Sequence, residues 1–178
     1  GATPVTVEVD INKGIGIHLV GLADASVRES LLRTITALQA AGYHVPGRKI
    51  VINLAPADMH KKGGGYDLPI ALGIIAASAQ EELPLLGDYL VMGELGLDGS
   101  VRDIPGALPL AELAASLGLR GCILPYGSAL EAAEVPTVEV YAVRSLQEAL
   151  RVLRGGELAT DLLAGNCRSC PGGAEEAL

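Results

Sequence analysis

The sequence predicts a two-layer α+β domain with a mixed sheet and helices packed mainly on one face. Strictly alternating strand patterns open the chain and read as a hairpin, whereas from residue 24 onward helical and strand-like segments mix. The core has to be aliphatic, because 49% of the residues are hydrophobic while Trp and Phe are absent.

Each element has its own warrant. Pro4 to Ile11 alternates, placing Val5, Val7, Val9 and Ile11 on one side, and Ile15 to Leu22 reads as its hairpin partner across Asn12-Lys13-Gly14. Asp24 or Ser26 caps a helix, with Ser26 and Glu29 in capping-box spacing. Val27, Leu31, Ile35 and Leu38 form its apolar stripe; Arg28, Glu29 and Arg33 lie off it and read as solvated. Arg48 to Ala55 is a strand, apolar on both faces except at Asn53. Asp67 reads as the cap of a helix with Pro69 in its first turn and an apolar surface all round, which makes that helix central. Asp88 to Glu94 and Ser100 to Ile104 read as strands joined by an Asp98-Gly99 turn. Ala107 to Leu117 is helical, Gly121 to Pro125 a buried strand and Ser128 to Ala133 a short helix. Val138 to Val143 is the last strand, and Ser145 with Glu148 opens a helix to Arg154. Residues 155–178, with two Gly pairs and little periodicity, read as a linker or tail, so the domain spans 1–154.

Composition narrows the function. A net charge of −8 argues against a generic polyanion binder, since phosphate contacts need Lys and Arg. The longest apolar run, Leu68 to Ala77, is too short for a membrane span and contains Pro69. No signal peptide is expected, and a start without Met reads as a piece of a longer protein. Three cysteines, an odd count, suit a reducing cytoplasm.

The segment between the third strand and the central helix, NLAPADMHKKGGGYDLPIA, carries most of the chemical interest. Amides of a Gly-rich turn before a helix form an anion site, and His60, Lys61 and Lys62 would add charge beside Gly63, Gly64 and Gly65. These six residues are the candidate contact for an anion, DNA or a partner. The plainer reading is that the glycines make a tight connection, with Asn53, Asp58 and Asp67 as its structural supports. No P-loop or G-x-S-x-G elbow occurs, and the three histidines lack ligand spacing. Cys167 and Cys170 form half a zinc site with no second pair, while Cys122 reads as core.

The motifs VGLADASVRES, NLAPAD, KKGGGYDLPIA and MGELGLDGSVRDIPGALP together resemble the N-terminal domain of the ComM/YifB, magnesium-chelatase-like (ChlI-related) AAA+ family, from about Val5 to Leu153. The resemblance implies the ribosomal-protein-S-five-domain-two-like fold shared with the Lon proteolytic domain. It implies a hexameric, ATP-driven DNA branch-migration motor of natural transformation, whose AAA+ domain, with its ATP and magnesium, lies outside this sequence. Lon-type domains use a Ser–Lys dyad. Matching the glycine loop without gaps puts the serine position at Gly65 and the lysine at Leu108 or Leu110, none of which supplies a nucleophile or base. The expectation is therefore a non-catalytic assembly or interaction domain without a cofactor of its own. Its expected partners are its own AAA+ domain, further copies of itself and, in the full-length protein, DNA, but no membrane. The competing readings are a Lon-like Ser/Lys hydrolase and a chelatase accessory subunit.

Overall fold

The computed structural model describes residues 4–58, 61 and 63–164. In chain order the elements begin β1 (Thr6–Asn12), β2 (Ile17–Val20), α1 (Ala25–Ala40), β3 (Lys49–Ala55) and α2 (Asp67–Ala77). They continue through β4 (Tyr89–Val91), β5 (Glu94–Leu95), β6 (Val101–Arg102), α3 (Ala107–Ser116), β7 (Gly121–Pro125), α4 (Tyr126–Ala132), β8 (Glu139–Val143) and α5 (Leu146–Arg154). The described residues form two compact units, one from residues 4–82 and 93–100, the other from 83–92 and 101–164.

The first unit is a three-stranded sheet with two helices on one face. Its strand order is β1-β3-β2, so the expected β1–β2 hairpin does not form. β3 runs between them, antiparallel to β1 and parallel to β2. The reason is hydrophobic: Ile50, Ile52 and Leu54 of β3 are fully buried, whereas β1 and β2 only alternate between half-buried and exposed, as edge strands do. Chain reversal after β2 needs glycine, because a Cβ on Gly21 would stand 2.1 Å from the Leu54 carbonyl oxygen and its φ is +104°. The register aligns Val7, Val9 and Ile11 with Leu54, Ile52 and Ile50 on the covered face.

α1 is capped by Asp24, whose Oδ1 accepts from the Val27 amide at 3.1 Å. The expected Ser26–Glu29 box is not used; the Ser26 hydroxyl donates to Asp24 instead. The buried stripe of α1 runs through Val27, Ser30, Thr34, Ala37 and Leu38, with Arg33 at its border. α2 is buried nearly all round, as its composition predicts. It approaches β1 so closely that a Cβ on Gly73 would lie 2.6 Å from a methyl of Val9. The Asp98-Gly99 turn forms as expected, with Gly96 donating to Ser100 O and Ser100 donating to the Asp98 carboxylate.

The second unit is a parallel sheet of order β4-β7-β8. Cys122, Leu124, Val140 and Ala142 pack with Ala107, Ala111 and Ala114 of α3 and Ala129 and Ala132 of α4. Ile123, Tyr141 and Val143, on the alternate face, are buried as well, as a parallel sheet requires. The expected strand from Asp88 to Glu94 breaks at Met92–Gly93 into β4 and β5, and the return strand shrinks to β6. Ser145 caps α5 by accepting from the Glu148 amide, while the Glu148 carboxylate reaches back to the Arg144 amide. Past Arg154 a 3-10 turn, Gly156–Leu162, follows, and Ala164 donates to Val140 O.

Candidate functional site

The glycine loop joins β3 to α2 inside the first unit. Lys61 is only 1% exposed, and its ammonium donates to the Pro56 carbonyl. That side chain is turned inward and shows no charge to solvent. Its backbone is stitched to the chain before α1: the Lys61 amide donates to Leu22 O and its carbonyl accepts from the Asp24 amide. A further stitch follows at Gly63, whose amide donates to the Ser26 hydroxyl oxygen at 2.8 Å. His60 and Lys62 lie outside the described residues, as do Cys167 and Cys170.

Asp67 does not cap α2; it is the helix's first residue and is fully buried. Its Oδ2 accepts from Arg33 Nε at 3.2 Å, Arg33 Nη2 at 3.1 Å and the Leu95 amide at 3.0 Å. Arg33, which the sequence places among solvated residues, therefore closes an ion pair across α1 and α2, and its Nη2 also stands 4.0 Å from Glu94. A buried carboxylate needs such a partner to be held as an ion. Burial pushes the Asp67 carboxyl above the ordinary carboxylate range, against the pull of the Leu95 amide, the nearby Ser30 hydroxyl and Arg33. Its Oδ1, like Thr34 Oγ1, has no hydrogen-bond partner among the described residues. Gly64 lies directly against this cluster: a Cβ there would meet Glu94 Oε2 at 2.9 Å and Arg33 Nη2 at 3.0 Å.

An anion at a helix N-terminus binds amides that the helix leaves free. At α2 the Asp67 amide donates to Gly64 O, Leu68 to Gly93 O and Ile70 to Tyr66 O, and Pro69 has none to give. The Gly65 carbonyl accepts from the Gly93 amide at 2.9 Å, tying the loop to the segment that leads into β5. Among the described residues the arrangement is an internally bonded connection over an ion pair whose acid is buried and whose arginine is partly exposed. Asn53 stands on β3 opposite Glu8 and Val20, half-buried on the uncovered face and not in the loop; Asp58 is exposed. The Arg33–Asp67 pair escaped the sequence reading because its members are 34 residues apart. The available signal was the acid itself, which opens an otherwise apolar helix and so calls for an inward-facing cation.

The Lon-type lysine positions fall on α3 of the other unit, where Leu110 packs on the aliphatic core and Leu108 is exposed. Cys122 is buried there, and its thiol is pushed up to about 12, which makes it inert core. Tyr89 donates to Glu139, which also pairs with Arg120; burial and that carboxylate push the Tyr89 phenol up. A cleft of about 360 Å³ lies between the start of α3 and α4, lined by residues that include Asp103, Gly106, Gly127 and Glu131. Ser128 fixes its floor by both donating to and accepting from the Ile104 backbone at 3.0 Å. Among the described residues no group of three or more His, Cys, Asp or Glu could hold a metal, and no helix is long and apolar enough to cross a membrane.

Comparison with known proteins places these features. The family model described as subunit ChlI of Mg-chelatase matches residues 7–128. YifB of Escherichia coli K12 is 48% identical over 118 residues, which is 66% of this chain and 23% of the relative. The competence protein ComM of Haemophilus influenzae is 39% identical over 163 residues, 89% of this chain and 32% of the relative. The DNA repair protein RadA of Aquifex aeolicus is 32% identical over 105 residues, 58% of this chain and 22% of the relative. The chain thus spans less than a third of the length of each of these relatives.

Proposed function

This chain belongs to the family of the ChlI subunit of magnesium chelatase, and on that premise we propose that it is a non-catalytic assembly or interaction domain of a longer, ComM- and YifB-like AAA+ ATPase. The observation that carries the reading is the glycine loop. Gly65 and Leu108 or Leu110 stand where the resemblance puts a nucleophile and its base, and the first-turn amides of α2 are engaged from inside. The shape of a catalytic loop remains, with Arg33 and Asp67 closing it.

In this reading ATP and magnesium are bound by an AAA+ module elsewhere in the longer protein, and this domain holds no cofactor. The longer protein assembles as a hexamer in the bacterial cytoplasm. DNA is engaged by the whole assembly, in keeping with a competence protein and a DNA repair protein among the relatives. Two measurements test it. A fluorophosphonate probe should leave the chain unlabelled, and stoichiometric labelling would overturn the non-catalytic reading. Removing residues 1–154 from the full-length protein should lower hexamer formation in sedimentation while leaving a folded ATPase; unchanged assembly would overturn the assembly role.

A further inference from the structure

We infer that the outer face of α4 is a two-fold contact between two copies of this chain, an inference that extends the assembly reading above and is separate from the head-to-tail contacts that close a ring. α4 buries Ser128, Ala129 and Ala132 and turns Tyr126, Gly127, Leu130 and Glu131 outward. Tyr126 and Leu130, one turn apart, make an apolar row and are 46% and 63% exposed. The Arg144 guanidinium lies over the Tyr126 ring at 3.7 Å from its centroid. Exposed Arg102 follows Val101, whose amide donates to Arg144 O at 2.8 Å, so a second guanidine stands on the adjoining segment. No ion pair engages Arg102 or Arg144 among the described residues.

The neighbouring row of α4, Gly127 and Glu131, is acidic. Glu131 is exposed, and the Asp103 carboxylate lies so close that a Cβ on Gly127 would meet its Oδ2 at 2.5 Å. Both carboxylates line the cleft beside α3. One face therefore carries a cationic, aromatic row next to an acidic row, with exposed leucine between the charges. Tyr and Arg at the centre with charge around them match the make-up of an interface core, and the exposed Leu130 adds apolar area beside them. A partner of one sign would satisfy half of this face and repel the other half. A second copy turned by a two-fold axis lays the Arg144–Tyr126 row against the Glu131–Asp103 row, and the reverse, so both halves are satisfied at once.

The test is sedimentation of the chain across a concentration series, for wild type, Arg144→Glu, Glu131→Arg, the double reversal and Leu130→Glu. Every changed side chain is exposed, and unfolding midpoints equal to wild type check that each variant is folded. Wild type should associate reversibly. Each single reversal should weaken association by about tenfold or more, the double reversal should restore it, and Leu130→Glu should abolish it. Association indifferent to all of these substitutions would overturn the α4 contact while leaving the assembly reading intact. A strictly monomeric wild-type chain would also overturn the α4 contact, and the assembly reading would still be judged by the truncation above.

Discussion

At the scale of the residue, glycines in this chain are required for different kinds of room. At Gly21 the obstacle is backbone: a Cβ would sit 2.1 Å from the Leu54 carbonyl oxygen, and φ is +104°. At Gly64 the obstacle is the movable ends of Arg33 and Glu94. Gly21→Ala should therefore cost about 3 kcal/mol or more, and Gly64→Ala about 1 kcal/mol, in urea unfolding. Equal costs would mean that the ion cluster under the loop is rigid. Asp67 makes a pH prediction with a definite sign. Its carboxyl is raised above the ordinary value of about 3.9, so its contribution is most favourable in acid and is lost as pH rises through its folded-state value. Asp67→Asn should gain stability relative to wild type between pH 4 and pH 7, in paired thermal melts. A flat difference would mean that folding leaves the Asp67 carboxyl unshifted, and one that moves the other way would place the ionised form as the favoured one.

At the scale of the element, α2 and β1 fit by a missing side chain. Gly73 offers Val9 a notch, since a Cβ would approach a Val9 methyl to 2.6 Å. Gly73→Ala should cost about 1–3 kcal/mol by overpacking. Adding Val9→Ala should recover part of it, so that a double-mutant cycle reports coupling of about 0.5 kcal/mol or more. Strict additivity would mean that the helix simply shifts. This scale also marks how far the sequence could be read. The alternation of Val7, Val9 and Ile11 and the all-round apolarity of α2 are local signals, and both elements lie where those signals put them. Strand order is not local. β1 and β2 are close in sequence, yet β3 takes the central place because Ile50, Ile52 and Leu54 bury more than either edge strand can. For the same reason Arg33 read as solvated: its partner Asp67 comes from another helix. The family was the most legible feature, because its motifs are contiguous runs.

At the scale of the whole molecule, the chain is acidic, aliphatic and divided into two compact units, and less than a third of each compared relative is present in it. The six loop residues that looked most like a binding site include Lys61, whose charge is directed at Pro56, while the exposed arginines Arg102 and Arg144 stand in the other unit. The α4 contact proposed above belongs to that second unit, so the loop and α4 stand as separate candidates for meeting partners.

The bonding of the loop also bears on what it would take to build a nucleophile there. A serine at Gly65 would bring a hydroxyl into a turn whose neighbouring amides already serve Gly64, Gly93 and Tyr66, two residues from a buried carboxylate. The Asp67 carboxylate is already engaged by Arg33 and the Leu95 amide, so it is not a free base for that hydroxyl. A Ser–Lys site here would need several changes, each useless alone: a hydroxyl, a lysine, and release of the helix-start amides from the carbonyls they now serve. The bonds that hold the turn thus act as a lock, since no single substitution opens it.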